Sequence, residues 1–310
     1  MSGFRHEAVF YAGEGEFTAA TLPFIQEGVE ADEAMLVAVS ETKIEALKGE
    51  LGPDAAKVGF IDMEQLGRNP ARIIPAWREF VDRNVAEGRG IRGIGEPIWP
   101  GRSAAELVEC HHHESLLNLA FAGMPDWQLI CPYDTSALED EVLETAQHNH
   151  HVVRNGGIHD HSRTYIDPRM GPAPFCGELP EPAIEPRVIA FIGGELSAVR
   201  RFIGDCADDA GLDEEAKVDL VLAANELAAN SVRHGGGHGV MRIWPEDSEL
   251  LCEVSDEGWI QQPLVGRERP DLNQTRGRGL WVANQVCDLV QIRSGGQGTT
   301  VRLHMSISAN

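Results

Sequence analysis

The sequence predicts an α/β protein with two differently built halves, an N-terminal doubly wound parallel sheet and a C-terminal α+β sandwich. In the first half, short apolar runs alternate with stretches of helical periodicity, which is typical of repeated strand–helix units. In the second half, helical stretches are combined with strands, the last two joined by the glycine-rich turn SGGQG. The length of 310 residues agrees with two domains, each able to bury its own core.

Five strands and five helices are predicted in the first half. The run AMLVAV is apolar throughout, as expected of a strand buried on both faces of a parallel sheet. The predicted strands lie at 8–11, 34–39, 58–61, 91–94 and 127–130. The predicted helices lie at about 16–29, in a stretch ending near 51, and at 70–87, 104–121 and 136–148.

The carboxyl ends of these strands are the expected ligand site, because ligands of such sheets bind at that edge. Three polar stretches follow strands there, beginning at Tyr11, Gly95 and Cys131. Gly13 and Gly15 suggest a phosphate-binding loop, but no GK[ST] follows them, so we predict no active P-loop.

Composition excludes several classes of function. A formal net charge of −23 argues against a nucleic-acid-binding surface and against binding to anionic membranes. No apolar run reaches transmembrane length, and the N-terminus lacks a signal-peptide pattern. Six scattered cysteines do not suggest a disulfide framework in a chain this long. These features predict a soluble protein in the reducing cytoplasm.

A proline-rich stretch separates the two halves. Residues 164–186 contain six prolines, which predicts a stiff, extended linker. We therefore expect a first domain at 1–163 and a second at 187–310.

The second half is organised around the stretch from Asp213 to Gly237. Asp213 is a good helix N-cap, the glycines from Gly235 end the helix, and Val218 and Leu222 start an apolar stripe continued by Ala229 and Val232. A strand at 187–191 and a helix at 196–210 precede this segment. Strands at 240–244, 250–254, 289–293 and 299–304 follow it, in a sheet predicted to be mixed and mostly antiparallel.

Four short motifs in this half point to nucleotide chemistry. In ELAAN, Glu226 and Asn230 lie four residues apart and share a helix face. Their oxygens suit Mg²⁺ beside phosphates, or the glutamate orients or deprotonates a hydroxyl nucleophile. The motifs SDEG, GRGL and GTT follow, and glycines just before a helix let the backbone approach a phosphate.

The ordered set ELAAN, SDEG, GRGL and GTT resembles the N, G1, G2 and terminal boxes of the GHKL (Bergerat) ATPases. That group includes histidine kinase catalytic domains and the anti-sigma factor serine/threonine kinases. The wording around the boxes, such as ELAANSVRHGG and GTTVRLHM, looks most like the anti-sigma regulatory kinases. The resemblance covers about residue 184 to the C-terminus.

The resemblance implies a role for each box residue. Asn230 would bind Mg²⁺, Glu226 would be the catalytic residue, and Arg233 and His234 would reach the phosphates of ATP. Asp256 would bond the adenine amino group with Gly258 beside it, and Thr299 or Thr300 would lie near the adenine. The lid over the phosphates would include Gly277, Arg278, Gly279 and Leu280.

One residue departs from the family pattern. The usual G1 box is DxGxG, and here Ile260 stands in place of the second glycine. Because that glycine helps the lid to hinge, the departure puts catalysis in question but leaves the adenine contact intact. The lid loop, 261–275, is expected to be short.

The resemblance implies a cytoplasmic protein serine/threonine kinase that uses ATP and Mg²⁺ and phosphorylates an anti-sigma-factor antagonist, with a sigma factor as a further partner. One alternative is a catalytically weak, ATP-binding switch that sequesters a partner. Another is an orphan sensor protein of the histidine kinase type, although a proline-rich linker cannot form its phosphoacceptor helical hairpin. Homodimers are common in the family.

The first half resembles the MEDS domain, a DcmR-like sensory domain related to RecA-like ATPases that have lost the nucleotide site. The segments RGIGEPIWPGRS, HHHESLLNLAF and WQLICPYD carry this resemblance, which covers about residues 6–155. It implies that the domain senses a small molecule or a partner and controls the kinase.

Histidine and cysteine are concentrated in the later part of the first half. A transition-metal or haem site is one interpretation, and an ordinary polar surface is the other, since no pair has the spacing of a structural zinc motif. The residues are Cys110, His111, His112, His113, Cys131, His148, His150, His151, His159 and His161.

Overall fold

The computed structural model describes residues 3–124, 126–155, 158–170, 175–270 and 277–307. The chain divides into two compact units, Met1–Pro172 and Ala173–Asn310. Across the described residues, no helix is both long and apolar enough to cross a lipid bilayer.

Among its described residues, the first unit contains seven strands and six α-helices. The strands are β1 (Phe4–Tyr11), β2 (Ala34–Val39), β3 (Val58–Asp62), β4 (Ile91–Gly95), β5 (Trp127–Asp134), β6 (Val152–Asn155) and β7 (Ile158–His161). The helices are α1 (Gly13–Glu30), α2 (Glu41–Leu51), α3 (Met63–Leu66), α4 (Ile73–Ala86), α5 (Ala104–Ala120) and α6 (Asp140–Asn149).

The sheet of the first unit has the order β3-β2-β4-β5-β1-β6-β7. All of its neighbours pair in parallel except β6 and β7, which form an antiparallel hairpin at one edge. The predicted doubly wound parallel sheet is therefore confirmed. The edge hairpin was not predicted, because its two strands are four residues long and too polar to show an apolar run.

The central strands of this sheet are buried and closely packed. All six residues of β2 are buried, as the apolar run predicted. On β4, Gly93 and Gly95 leave room for Trp77 of α4, whose ring would lie 2.7 Å from a Cβ at position 93.

The N-terminus of α5 is closed by a capping box between Ser103 and Glu106.

The second unit is a five-stranded sheet with helices on one face. Its elements are β8 (Arg187–Ile192), α7 (Leu196–Ala210), α8 (Glu214–His234), β9 (His238–Glu246), β10 (Glu249–Asp256), α9 (Arg278–Val286), β11 (Leu289–Gly295) and β12 (Gly298–Ser306). The order is β11-β12-β10-β9-β8, and every described pair is antiparallel. The α+β sandwich is confirmed, and its described strands are wholly antiparallel rather than mixed.

Helix α8 begins as predicted, but it buries only part of the predicted apolar stripe. The Asp213 carboxylate accepts a hydrogen bond from the Ala216 N–H at 2.8 Å, which makes it the N-cap. Val218 and Leu222, expected in the apolar stripe, are 56% and 43% exposed. The other two residues of the predicted stripe do face inward, since Ala229 is buried and Val232 is partly buried against the core. The buried residues are Leu220, Ala223, Ala224, Leu227, Ala228, Ala229 and Ser231. This set is rich in alanine, so the bulkier exposed residues dominated the periodicity.

Part of the segment predicted as a linker packs against the second unit. Phe175 is buried in the core of this unit, and its carbonyl accepts the Ser294 N–H at 3.0 Å. Farther along, the Pro180 carbonyl accepts a hydrogen bond from Arg302 at 2.8 Å, and Glu181 pairs with Arg242 at the same distance. The stretch from 175 to 181 therefore lies against the sheet rather than extending freely.

A buried ion triad crosses three strands beneath this segment. Glu253 of β10 is 1% exposed and stands opposite Arg242 of β9 and Arg302 of β12. One carboxylate oxygen accepts two hydrogen bonds from Arg242 and the other accepts two from Arg302, at 2.5–3.0 Å. Because Arg302 is buried, loss of the shared carboxylate would leave its charge uncompensated, whereas the partly exposed Arg242 would keep Glu181 as a partner.

We expect Glu253→Gln to lower the free energy of unfolding by about 3–5 kcal/mol, because the buried Arg302 loses the charge that neutralises it and Arg242 keeps only its exposed partner. Urea unfolding followed by tryptophan fluorescence, to which Trp244 beside both guanidinium groups contributes, measures the change. Glu181→Gln removes an exposed partner of Arg242 and should leave the midpoint nearly unchanged. Equal decreases in the free energy of unfolding of the two variants would show that the burial of Glu253 does not determine its contribution to stability.

Candidate functional site

The second unit contains a cavity of about 290 Å³ between α8, the sheet and the start of α9. Its walls combine apolar side chains with a small number of polar groups, the usual composition of a ligand pocket. The lining residues are Leu227, Asn230, Ser231, His234, Gly235, Val254, Asp256, Gly258, Trp259, Ile260, Gln261, Gln262, Val265, Gly277, Leu280, Thr299 and Val301.

One face of α8 forms the floor of the cavity. Leu227, Asn230, Ser231 and His234 occupy positions i, i+3, i+4 and i+7, so they project from the same side of the helix. The apolar residue and the three polar ones are therefore arranged in a row along the cavity.

Asp256, at the end of β10, is the most constrained polar group in the cavity. Its Oδ2 accepts a hydrogen bond from the Ser231 hydroxyl at 2.5 Å, and its Oδ1 accepts the Gly258 N–H at 2.7 Å. A Cβ at Gly235 would lie 2.3 Å from the carboxyl carbon of Asp256, so any larger residue there would displace the carboxylate. A carboxylate has about four acceptor positions, so Asp256 keeps capacity for a ligand donor.

The loop after Asp256 is held by a second set of hydrogen bonds. The Thr299 hydroxyl donates to the Gly258 carbonyl at 2.8 Å and lies 2.7 Å from the Ser294 hydroxyl, which also accepts the Ile260 N–H at 2.8 Å. Within the described chain, the only non-glycine residues with positive φ are Asp32 and Asp247, so Ile260 adopts an ordinary backbone conformation. The isoleucine is therefore unstrained, and its side chain forms part of the cavity wall.

The opposite end of the cavity is formed where α9 begins. Gly277 is the N-cap of α9 and has φ +82°, a left-handed conformation that favours glycine. A Cβ at Gly279 would lie 2.8 Å from the Asn230 Nδ2 and 3.3 Å from a Glu226 carboxylate oxygen. The first turn of α9 therefore lies directly against the Glu226 and Asn230 pair, and a helix N-terminus is a place where backbone N–H groups can bind an anion.

The predicted site residues fall into two groups. Those that line the cavity are Asn230, His234, Asp256, Gly258, Gly277, Leu280 and Thr299. Those that lie outside its lining are Glu226, Arg233, Arg278, Gly279 and Thr300. In the second group, Gly279 lies against Glu226, and the Thr300 hydroxyl lies 3.0 Å from that of Ser255. Arg276 and the part of the lid loop at 271–275 lie outside the described residues.

Sequence reasoning did not identify several residues of this cavity. Ser231 immediately follows the ELAAN motif, and its polar side chain on the buried face of α8 was the available signal. Ser294 could be connected with Thr299 only through the hairpin register, which pairs the two residues. Trp259, Gln262 and Val265 lie in an irregular loop whose path no periodic pattern predicts.

The cavity suits an amino-bearing heterocycle that carries an anionic group. Val254, Val301 and Leu227 offer apolar surface to a flat ring, and the fixed carboxylate of Asp256 can accept hydrogen bonds from an amino group. At the other end, the start of α9 offers N–H donors to an anion, and the oxygens of Glu226 and Asn230 are suitable Mg²⁺ ligands. The residues present therefore fit a purine nucleotide with Mg²⁺.

The first unit has a polar cluster at the carboxyl edge of its sheet. The Tyr11 hydroxyl donates to Glu96 at 2.6 Å, and the Lys43 ammonium lies 2.6–2.7 Å from both oxygens of Glu96. Burial raises the pKa of Glu96, although Lys43 opposes the shift. Burial and the Glu96 charge together raise the pKa of Tyr11. This edge therefore presents a compact ionic cluster where a sensory ligand was expected.

The glycine-rich start of α1 is already occupied by carboxylates. The Gly13 N–H donates to Asp134 at 3.3 Å, and the Ala12 N–H donates to Glu16 at 2.8 Å. These carboxylates occupy two backbone donors that a phosphate bound at this loop would use.

Comparison with known families gives two matches. The MEDS model, described as the methanogen/methylotroph, DcmR sensory domain, matches residues 5–151. The histidine kinase-like ATPase domain matches residues 194–305. No curated protein matches the chain.

Two solved structures are similar over part of the chain. The RsbU and RsbW domains of a Mycobacterium tuberculosis protein match at 20% identity with a TM-score of 0.30, over 40% of this chain and 33% of that one. The Acinetobacter baumannii histidine kinase AdeS matches at 13% identity with a TM-score of 0.24, over 41% of this chain and 70% of that one. By its two family matches, the chain joins a domain of the MEDS sensory family to a domain of the histidine kinase-like ATPase family.

Proposed function

We propose that this protein is a cytoplasmic, ATP-dependent serine/threonine protein kinase, whose MEDS domain regulates phosphorylation of an anti-sigma-factor antagonist. The fixed carboxylate of Asp256, at one end of an apolar cavity, is the observation that carries the nucleotide part of this proposal. Adenine presents an amino donor that such a carboxylate accepts, whereas guanine presents a carbonyl at the same ring position.

The chemistry of transfer is assigned to the other end of the cavity. In phosphoryl transfer, catalysis consists mostly of positioning and of stabilising charge, and Mg²⁺ supplies neutralisation of the phosphate oxygens. Asn230 would hold the ion through its carboxamide oxygen, and the first turn of α9 would donate N–H groups to the phosphates. Glu226, half-buried beside Gly279, would accept the proton of a Ser or Thr hydroxyl on the partner.

A second candidate function is supported by Ile260. Its side chain lies in the cavity wall and its N–H is bonded to Ser294, so the loop after Asp256 is tied down where the family pattern has a hinge glycine. A stiff loop would favour a protein that binds ATP and sequesters a partner without efficient transfer. The two functions share the nucleotide pocket and differ only in turnover.

Calorimetry of ATP binding tests the proposed pocket. We expect wild-type protein to bind ATP in the presence of Mg²⁺, and Asp256→Asn to weaken binding by about 10-fold or more with or without Mg²⁺, because a hydrogen bond to a charged acceptor contributes about 1.5–3 kcal/mol. Asn230→Ala should weaken binding only when Mg²⁺ is present. Asp209→Asn, an exposed change in the same unit, is the matched control. Wild-type protein that binds no ATP would refute the proposal.

A further inference from the structure

Four buried side chains of the first unit converge on one point. They are His6 of β1, Glu114 of α5, Cys131 of β5 and His150 at the end of α6, and each is at most 1% exposed. One potential ligand atom from each lies within 4.8 Å of all the others. The Nε2 atoms of His6 and His150 both lie 3.1 Å from the same Glu114 oxygen, and the His6 Nε2 lies 3.3 Å from the Cys131 Sγ.

The hydrogen bond of His150 determines which of its nitrogens can bind a metal. Its Nδ1 lies 2.7 Å from the backbone carbonyl of Ala146. A carbonyl oxygen only accepts hydrogen bonds, so the Nδ1 must carry a hydrogen. In the neutral ring, the lone pair therefore resides on the Nε2, which points at Glu114.

The same argument applies to His6 through one further residue. Its Nδ1 lies 3.3 Å from the Oδ1 of Asn118, and the Asn118 Nδ2 donates to the Asn149 carbonyl at 2.8 Å. The second bond fixes the orientation of the amide, so its oxygen faces His6 and accepts from the Nδ1. The neutral ring again directs the Nε2 lone pair at Glu114.

The Nε2 lone pairs of His6 and His150 are therefore directed at the carboxylate of Glu114, and only a positive charge between these groups would relieve their repulsion. Within the described residues, neither oxygen of Glu114 accepts a regular hydrogen bond, nor does the Nε2 of His150 make one, although these atoms are buried. A buried carboxylate and two imidazole lone pairs at 3.1 Å repel one another unless protons or a metal ion lie between them.

We propose that His6, Glu114, Cys131 and His150 form a site for one divalent transition-metal ion of the zinc type. Two imidazole nitrogens, a thiolate and a carboxylate are a suitable ligand set. Around a tetrahedral zinc ion, ligand atoms lie roughly 3.3–3.7 Å apart. Three separations here are 3.1–3.3 Å, and all four ligand atoms lie within 4.8 Å of one another. The thiolate and the carboxylate would cancel the charge of the ion, so the buried site would be neutral. Four ligands on one point suit a single ion rather than a haem.

The surroundings match those of metal-binding histidines. Such residues almost always donate their other ring N–H to a carbonyl, carboxylate or water, as His150 does to Ala146 and His6 does to Asn118. Because four protein ligands close the coordination sphere, the site would be structural, and it would tie α5 and the end of α6 to strands β1 and β5.

Cobalt substitution in the full-length protein tests this proposal. Wild-type protein and each variant are measured with and without Cys176→Ser, which removes the exposed cysteine as a source of adventitious binding. We expect one Co²⁺ ion per chain, with a thiolate-to-cobalt absorption band and the intense visible bands of tetrahedral Co²⁺. Elemental analysis of the protein as purified should show one transition-metal ion per chain, and its removal by a chelator should lower the melting temperature.

The variants connect the spectrum with particular residues. Cys131→Ser should abolish the thiolate band, whereas the matched control Cys110→Ser, a buried cysteine on α5 outside the cluster, should preserve it. Glu114→Gln keeps the side-chain volume and should weaken binding, and Asn118→Ala should weaken it about 10- to 100-fold while every ligand remains. Wild-type protein that takes up no stoichiometric Co²⁺ or Zn²⁺ would overturn the proposal. So would a thiolate band that survives Cys131→Ser. If Cys131→Ser does not fold, the wild-type stoichiometry and the Asn118→Ala affinity still decide the matter.

Discussion

We expect Glu226→Gln to reduce phosphotransfer by about 10²- to 10⁴-fold, the usual contribution of a positioned acid or base, while ATP binding stays near the wild-type affinity. Glutamine keeps the shape of the side chain and one acceptor oxygen but cannot take a proton from a hydroxyl. Glu226 lies outside the lining of the nucleotide cavity and against Gly279 at the start of α9, a place that suits a group facing the partner rather than the base.

The measurement is transfer of radioactive phosphate from ATP to candidate anti-sigma-factor antagonists, with calorimetry of ATP binding on the same samples. Glu215→Gln, an exposed change in the first turn of the same helix, is the matched control and should have no effect on either quantity. Loss of ATP binding in Glu226→Gln would show that Glu226 contributes to the binding of ATP rather than only to the transfer step. Wild-type protein that binds ATP but phosphorylates no antagonist would favour the non-catalytic switch.

The parts of the fold that the sequence predicted are those with strong local signals. Strand β2 is a fully apolar run, and α8 has an N-cap at Asp213 and glycines after His234, so both were located within one residue of their observed ends. Local signals were weak for the edge hairpin β6–β7, whose pairing depends on the neighbouring strand β1. The buried face of α8 was predicted only in part: Ala229 and Val232 pack inward as expected, whereas Val218 and Leu222 are exposed. Alanine packing against the sheet depends on tertiary contacts rather than on side-chain size.

The residues of the candidate sites also divide into those marked by local motifs and those that only the fold brings together. The boxes containing Asn230, Asp256 and Gly258 are short motifs, so they could be read from the chain, and they meet at one cavity. The bond from Ser231 to Asp256 spans 25 positions, and its partner could not be named without the fold.

The proposed metal site is the group of residues that the sequence predicted least well. His6 was not among the histidines singled out from the sequence, and Cys110 and His113, on the same helix as Glu114, lie outside the four-residue group. Its ligands come from two strands and two helices whose proximity only the sheet order creates. Spacing rules for metal sites rely on ligands in one local segment, and here no two of the four are within ten positions of each other.

We expect Gly235→Ala to weaken ATP binding by about 10- to 100-fold and to erode the preference for ATP over GTP. The added methyl group would lie 2.3 Å from the carboxyl carbon of Asp256 and 2.5 Å from its Oδ1. The backbone of Gly235 cannot move away easily, since its N–H donates to Ser231 at 2.8 Å and its carbonyl accepts from Glu257 at 3.2 Å. The carboxylate must therefore shift and lose its bonds from Ser231 and Gly258.

The effect of this substitution separates a positioned carboxylate from a merely negative pocket. The φ of Gly235 is −101°, so alanine introduces no backbone strain, and any loss arises from displacement of Asp256. Gly296→Ala, in the exposed turn between β11 and β12 with open space around the added carbon, is the matched control. If Gly235→Ala binds ATP as tightly as wild type and still discriminates against GTP, then Asp256 does not recognise the base through the geometry described, and the apolar walls alone would have to account for selectivity.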